Sequence, residues 1–261
     1  MSKQTYSSYL RLGELLSIQT PKSSPVEHDE VLFIIVHQVY ELWFKLLLHE
    51  FEKVRRDLSA NHLFGAIGTF KRVRMVLKVL VSQLDVLETM TPMNFLAFRD
   101  RLEESSGFQS HQFRELEFLL GHKRAEMLRY HEEGSAEHAA LEKRLHERSV
   151  VDCFYDFLEH HGVAIPHEIR DRDPAAPTEP NEAVQEGLLQ LYRTQPDVAI
   201  LLEMMVDIDE GLQEWRYHHV KMVERTIGNK RGTGGSPGVE FLKRTLFQPL
   251  FPDLWAIRHR L

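Results

Sequence analysis

The positions of proline leave this chain two long stretches that can form uninterrupted helices. Proline removes a helical hydrogen bond and clashes with the preceding turn, so it rarely lies inside a helix. Residues 26–91 and 93–165 contain no proline. Apolar residues recur there in steps of three and four, which is the period of an α-helix, and the alternation typical of strands is hard to find. We therefore predict an all-α protein.

Two apolar patterns predict the longest helices of the first half. One stripe, a single packing face, runs through Phe70, Val73, Leu77, Leu80, Leu84 and Leu87. Residues 28–57 instead carry two stripes, one through Leu32, Ile35, Val39, Leu42 and Leu46 and the other through Phe33, His37, Tyr40, Phe44 and Leu48. A helix that is apolar around most of its circumference is buried, so we expect residues 28–57 to be largely covered. Shorter helices are predicted at 5–17, 92–103, 109–120, 122–132, 136–161, 182–193 and 197–227.

Two segments rich in proline, glycine or charge interrupt the helical pattern. Residues 167–180 read as an internal loop, and the residues after it match no separate domain signature. We therefore expect one domain over residues 1–261. Residues 227–238 hold five glycines in twelve positions. Such a segment is flexible by itself, and we expect a ligand to order it, with 228–238 acting as a gate for substrate.

Composition excludes several classes of function and location. The 32 Lys and Arg residues against 39 Asp and Glu residues give a net charge of −7, which argues against nucleic acid as the partner. The lone cysteine, Cys153, cannot form an internal disulfide, and the start of the chain lacks an apolar leader. Apolar runs stay shorter than the roughly 18 residues that a membrane span needs. We expect a soluble, cytoplasmic protein without a membrane partner.

A histidine interrupts an apolar stripe near the end of the chain. The stripe contains Ile208, Leu212, Trp215, His219, Met222 and Thr226 on one helical face. His219 is either a core histidine hydrogen-bonded to a neighbour or an imidazole that presents one nitrogen to a haem iron from an apolar wall. The chain has no CxxCH motif, so a haem would not be attached covalently.

His37 and Arg99 pose similar alternatives. His37 lies in the most apolar helix, one turn after Phe33, and is either a packing residue or the second histidine facing a flat apolar cofactor. Arg99 follows Phe95 and Phe98. Its guanidinium is either a surface group with its stem packed on the rings or a bidentate clamp for a carboxylate. A clamp beside aromatic walls would suit an aromatic acid or an aromatic amino acid.

Four segments together resemble the tryptophan 2,3-dioxygenase family: residues 6–10, 28–50, 98–121 and 214–242, with the specific motifs SSGFQS and GTGGSPGVEFL. The resemblance covers nearly the whole chain in the expected order. It implies an all-helical homotetramer, a dimer of dimers, with one haem b per subunit bound between helices and ferrous in the active form. Members insert both atoms of O2 across the indole C2–C3 bond of L-tryptophan to give N-formyl-L-kynurenine, the first step of tryptophan catabolism by the kynurenine pathway. Turnover requires no reductase.

The resemblance also implies roles for individual residues. His219 becomes the proximal ligand of the haem iron, and His37 the distal histidine near the indole N–H. Arg99 binds the substrate carboxylate, and Thr233 binds the amino-acid end beside a haem propionate. The other implied substrate contacts are Phe33, Ile34, Ile35, Val36, Phe95 and Ser106, with Ser106 and Gly107 also over the haem on its distal side.

Two further features follow from the resemblance. Tyr6, Tyr9 and Leu10 match a segment that in the family reaches a neighbouring subunit's pocket, so residues 1–20 are expected to contact another subunit. Phe95 stands where some members have a tyrosine whose hydroxyl contacts the carboxylate, which leaves more of that recognition to Arg99.

Three other functions remain open on the sequence. A haem-dependent indole mono-oxygenase of the same fold would keep the proximal histidine but tend to lose the amino-acid clamp, so Arg99 together with Thr233 favours the dioxygenase. A non-catalytic haem or indole sensor would bind without product formation. A purely structural helical bundle would be colourless.

Overall fold

The computed structural model describes residues 3–103, 105–232 and 238–261, and within these ranges every regular element is a helix. This confirms the all-α prediction. The α-helices of the described ranges are α1 Tyr6–Tyr9, α2 Leu12–Leu15, α3 His28–Ser59, α4 Leu63–Leu87, α5 Pro92–Arg99, α6 His111–Leu119, α7 Ala136–His146, α8 Val150–His160, α9 His167–Arg170, α10 Glu182–Thr194, α11 Pro196–Ile227, α12 Val239–Lys243 and α13 Pro252–Ala256. Short 3₁₀ segments lie at Asp100–Leu102, Gly107–Gln109, Ala125–Tyr130 and Arg258–Arg260.

The long helix α4 packs against both α3 and α11. The stripe predicted from Phe70 to Leu87 is its buried face, and each of the six predicted stripe residues is at most 5% exposed. The chain turns from α3 into α4 through Asn61, whose φ of 56° lies in the left-handed region that asparagine tolerates. Helix α3 also packs against α6 and α8. The buried apolar face of α4 therefore holds α3 and α11 against it.

Helix α3 departs from the sequence prediction. Ile35 is 43% exposed and Leu42 is 53% exposed, although both belong to a predicted apolar stripe. The buried side is formed by Val36, Tyr40 and Phe44 among others, because α4, α6 and α8 approach from that side. Within a single subunit, the expectation that most of the circumference of α3 is covered is therefore wrong. By length and composition α3 is also long and apolar enough to cross a membrane, and it packs against α4, α6 and α8.

Several predicted helices are shorter than expected. The segment 5–17 forms two single-turn helices separated at Arg11, whose φ is 51°. The segment 136–161 is broken at Ser149 because this serine caps α8: its hydroxyl accepts from the amide N–H of Asp152, and the Asp152 carboxylate accepts from the Ser149 amide. The segment 122–132 keeps only a 3₁₀ stretch, and in 92–103 the α-helix stops at Arg99.

Helix α11 agrees with its predicted bounds to within one residue. Pro196 begins it, where the missing amide donor has no helical partner to lose. Gly228, with φ of 58°, ends it. The predicted stripe is confirmed: Ile208, Leu212 and Trp215 are buried, and His219 continues the same face. This places His219 about two turns before the glycine-rich segment.

Candidate active site

A cavity of about 230 Å³ lies between α3, α5, α11, α12, Leu102 and the segment 105–114. Its walls are mainly aromatic and aliphatic. The lining residues used below are Phe33, His37, Phe44, Phe95, Arg99, Ser106, Gly107, Phe108, Phe113, Arg114, Glu117, Trp215, Arg216, His219 and Phe241. The structure thus brings both predicted histidines and the predicted arginine to one cavity.

His37 presents a defined nitrogen to this cavity. Its Nδ1 lies 2.8 Å from the carbonyl oxygen of Phe33, one turn earlier on α3. A carbonyl can only accept, so Nδ1 carries the proton and donates it, which leaves the Nε2 lone pair as an acceptor. Burial lowers the pKa of His37 and favours the neutral ring. The ring of Phe33 lies 4.0 Å from the imidazole, centroid to centroid, and fixes its other side.

Phenylalanines form the wall beside His37. The ring centroid of Phe33 is 5.8 Å from that of Phe95 and 5.6 Å from that of Phe98. Phe95 and Phe98 are both buried and meet edge to face at 5.5 Å. Helix α5 holds them in place because Thr91 caps its first turn and Pro92 begins it. The result is an apolar wall suited to an aromatic ring.

His219 faces the cavity from α11 and stacks on a tryptophan. The imidazole and the Trp215 indole are nearly parallel, at 4° between planes and 5.2 Å between centroids. Within the described residues, neither imidazole nitrogen of His219 makes a hydrogen bond. Burial, with smaller contributions from His37 and Arg114, lowers the pKa of His219 to about 4. The ring is therefore neutral near pH 7 and keeps a free lone pair, which is the form that binds a metal.

Arg99 lies at the cavity wall and is half-buried. Its Nη2 donates to the backbone carbonyl of Arg231 at 2.6 Å, where the chain enters the glycine-rich segment. In the described part of the chain no carboxylate pairs with Arg99. The guanidinium is thus available to an anionic ligand that displaces a neutral carbonyl.

The ends of the glycine-rich segment lie close together. A Cβ atom built on Gly238 would stand 2.7 Å from the carbonyl oxygen of Lys230, and the φ of Gly238 is 71°. Only glycine fits there. Thr233, the predicted contact to the amino-acid end, lies outside the described residues.

The remaining predicted contacts fall in different places. Ser106 and Gly107 line the cavity, and the Ser106 hydroxyl accepts from the Phe108 amide at 3.3 Å. A Cβ on Gly107 would be 4.0 Å from His37 Nε2, so this glycine leaves space beside the acceptor nitrogen. Ile34, Ile35 and Val36 do not line the cavity, and Val36 lies in the hydrophobic core. Tyr6, Tyr9 and Leu10 are exposed on the surface.

Sequence reasoning missed a group of charges beside the cavity, the guanidinium cluster of Arg114, Glu117, Arg124 and Arg216, of which all but Arg124 are buried and line the cavity. The Glu117 carboxylate accepts from Arg114 at 2.6 Å, from Arg124 at 2.6 Å and from Arg216 at 3.4 Å. Burial raises the pKa of Glu117, but the three guanidiniums outweigh it and lower that pKa to about 2. Trp215 was also missed as a partner of His219. Its place on the same stripe, four residues earlier, was the available signal.

Comparison with known proteins identifies the family. The family model of tryptophan 2,3-dioxygenases matches residues 1–162 and 180–261. The chain belongs to the tryptophan 2,3-dioxygenase family. It is 52% identical over 254 residues to the tryptophan 2,3-dioxygenase of Herpetosiphon aurantiacus, covering 97% of each chain. It is 52% identical to that of Anaeromyxobacter sp. (97% of this chain, 95% of the relative) and 41% identical to that of Serratia proteamaculans (98% and 92%).

Members of the tryptophan 2,3-dioxygenase family are haem-dependent and oxidise tryptophan with O2 to N-formylkynurenine. The residues of this cavity fit such a cofactor. His219 offers a neutral imidazole without a hydrogen-bond partner among the described residues. Aromatic walls suit a flat apolar ring, and cationic side chains on the wall suit its two acidic substituents.

Proposed function

We propose that this chain oxidises L-tryptophan with O2 to N-formyl-L-kynurenine in the cavity between α3 and α11. The observation that carries this proposal is the convergence of three groups. His37 and His219, both with lowered pKa values, line one cavity whose wall also holds the unpaired cation of Arg99. One haem b per subunit, ligated by His219 and in its ferrous form, would supply O2 binding and oxygen transfer to the indole.

His37 orients the indole. Its Nε2 accepts the indole N–H, while the Nδ1 donor bond to the Phe33 carbonyl holds the ring in place. This is mainly a positioning role, because a hydrogen bond that fixes the ring geometry does not require complete proton transfer. Phe33 and Phe95 pack on the apolar surface of the substrate. Gly107 leaves the space that the indole needs next to Nε2.

Arg99 binds the substrate carboxylate. To do so its Nη2 exchanges the Arg231 carbonyl for an anionic oxygen, which makes a stronger, charge-assisted hydrogen bond. Phe95 contributes no hydroxyl, so Arg99 takes most of this recognition. Ser106, and Thr233 by the family resemblance, assist near the haem and the amino-acid end. Substrate binding at Arg99 and Thr233 would order the gating loop 228–238.

The active form is a homotetramer, a dimer of dimers, in the cytoplasm. Two features support assembly: Tyr6 and Tyr9 are 76% and 69% exposed, and the outward face of α3 presents Ile35 and Leu42. Large exposed apolar side chains of this kind favour burial against another subunit. Residues 1–20 then supply Tyr6, Tyr9 and Leu10 to a neighbouring cavity. Turnover needs no reductase, nucleic acid or membrane.

Ligand binding by variants tests the proposal. The full chain with ferrous haem is titrated anaerobically with L-tryptophan and with tryptamine, which lacks the carboxylate, while the absorption spectrum is followed. Arg99→Met should weaken tryptophan binding by about 1.5–3 kcal/mol and leave tryptamine binding unchanged. Arg101→Met, an exposed neighbour, is the control and should change neither.

Three results would contradict the proposal. His219→Ala should lose the Soret band, so a variant that retains full haem absorbance refutes the axial ligand. Equal binding of tryptophan and tryptamine in the wild type would favour the indole mono-oxygenase over the amino-acid dioxygenase. In the wild type, addition of O2 to the tryptophan complex should produce N-formylkynurenine. A coloured protein that forms no product would instead be a sensor.

A further inference from the structure

We propose that Arg114, supported by the charges of Arg124 and Arg216, is the binding site for one propionate of the haem. This inference rests on the proposed function and names the residue that orients the cofactor. It separates two cations of one cavity: Arg99 receives the substrate carboxylate, and Arg114 receives a carboxylate of the cofactor.

The guanidinium cluster holds more positive charge than its own carboxylate neutralises. Three guanidiniums share Glu117, and Arg114, Glu117 and Arg216 are each at most 4% exposed. Asp209 is the other carboxylate near Arg216, but it accepts from the amides of Leu250 and Phe251 and from the Trp255 indole. Even if Asp209 is counted, one positive charge is left over. Buried charge of this kind requires a partner, which indicates an anionic ligand.

The free donors of this cluster include one edge of Arg114. Its Nη1 donates to Glu117, whereas its Nε is buried and unpartnered and its Nη2 makes no hydrogen bond to any described residue. The Nε and Nη2 donors form a planar fork that matches the two oxygens of a carboxylate. The guanidinium carbon lies 5.2 Å from the Phe108 ring centroid and 5.4 Å from that of Phe113, so both rings contact the guanidinium group. The site is therefore built before a ligand arrives.

The same cavity connects this fork to the iron ligand. The Phe113 ring is 5.0 Å from Trp215, and Trp215 stacks on His219 at 5.2 Å. A porphyrin with iron bound at His219 can still rotate about the iron–nitrogen axis. A carboxylate bound at Arg114 would remove that freedom. Arg114 is thus a positioning residue for the cofactor.

The test compares haem with its dimethyl ester, in which both propionates are neutral. The full chain, produced free of haem, is titrated with haemin and with haemin dimethyl ester, and the Soret band reports binding. In the wild type the diacid should bind more tightly. In Arg114→Met, which keeps an unbranched apolar side chain but removes the guanidinium, we expect diacid binding to weaken by about tenfold or more and diester binding to stay the same. Arg72→Met removes another arginine from a buried carboxylate, Glu50, away from the cavity, and should keep the wild-type ratio.

The ratio of haemin affinity to haemin dimethyl ester affinity decides the matter. If Arg114→Met leaves this ratio unchanged, the inference is overturned and the cluster has only a structural role, even if the variant is less thermally stable. Should Arg114→Met fail to fold, Arg114→Lys decides. It retains the charge without the fork, so the ratio should fall in part, and a wild-type ratio refutes the site. If no protein, including the wild type, binds haemin, the proposed function fails instead.

Discussion

Replacement of Glu117 by glutamine tests how strongly the guanidinium cluster depends on its single carboxylate. The substitution preserves shape but leaves three guanidiniums without their shared anion. Lowering the Glu117 pKa from 4.5 to about 2 corresponds to about 3 kcal/mol of stability at pH 7. Breaking a buried ion pair typically costs about 3–5 kcal/mol. Both routes predict a loss of about 3 kcal/mol or more in the free energy of unfolding.

The pH dependence of that loss gives a sharper test. The carboxyl of Glu117 has a lower pKa in the folded protein than in the unfolded chain, so its stabilisation is complete well above pH 4.5 and disappears as the pH falls towards 2. Between pH 7 and pH 3.5 the wild type should lose about 1 kcal/mol of this contribution. The variant has no carboxyl to titrate there, so the difference between the two proteins narrows.

Denaturant unfolding at a series of pH values measures this difference. Glu50→Gln is the matched control, because Glu50 is also buried but pairs with a single, largely exposed arginine, Arg72. The control should lose less stability at pH 7 than Glu117→Gln. A difference between wild type and Glu117→Gln that stays constant from pH 7 to pH 3.5 would refute the lowered pKa. A difference below that of the control would refute the argument from three guanidiniums.

Three other substitutions have separate expected results. His37→Ala should reduce the rate of tryptophan oxidation while haem absorbance is retained; an unchanged rate would exclude the positioning role of its Nε2. Lys123→Met removes an ammonium that donates to three backbone carbonyls at the end of α7, at 2.7, 2.9 and 2.8 Å. It should lower the free energy of unfolding by about 3 kcal/mol, and a stability within 0.5 kcal/mol of the wild type, the usual range for a surface substitution, would contradict this. Gly238→Ala places a Cβ 2.7 Å from the Lys230 carbonyl. It should raise the KM for tryptophan with little change in Tm, and an unaltered KM would show that the loop geometry is not needed for binding.

The candidate site was predictable where its residues share one local pattern. The stripe on α11 placed His219 on an apolar face, and the structure confirms that face. Spacing alone left open whether this histidine packs or binds a ligand, and His37 and Arg99 posed the same question. The family resemblance supplied the roles, which the geometry of the cavity supports as proposals.

Other features depended on residues that are distant in the sequence. The guanidinium cluster joins Arg114 and Glu117 on α6 with Arg124 and Arg216, and Arg216 is 99 positions from Glu117. Such a group has no period, so no local pattern predicts it. The break between α7 and α8 was missed for a different reason: Ser149 and Asp152 form a recognisable capping box, but the apolar pattern on both sides suggested one helix.

The sequence by itself determined the helical class and the buried faces of α4 and α11. A helix repeats every 3.6 residues, so apolar residues that recur at this period mark its buried face. It did not determine which side of α3 is covered, since two apolar stripes compete there and only the approach of α4, α6 and α8 selects between them. The tertiary structure also decided the chemistry of the cavity. The pKa values of His219 and Glu117 are lowered because burial excludes water and folding brings separate charges together, and neither effect exists along the unfolded chain.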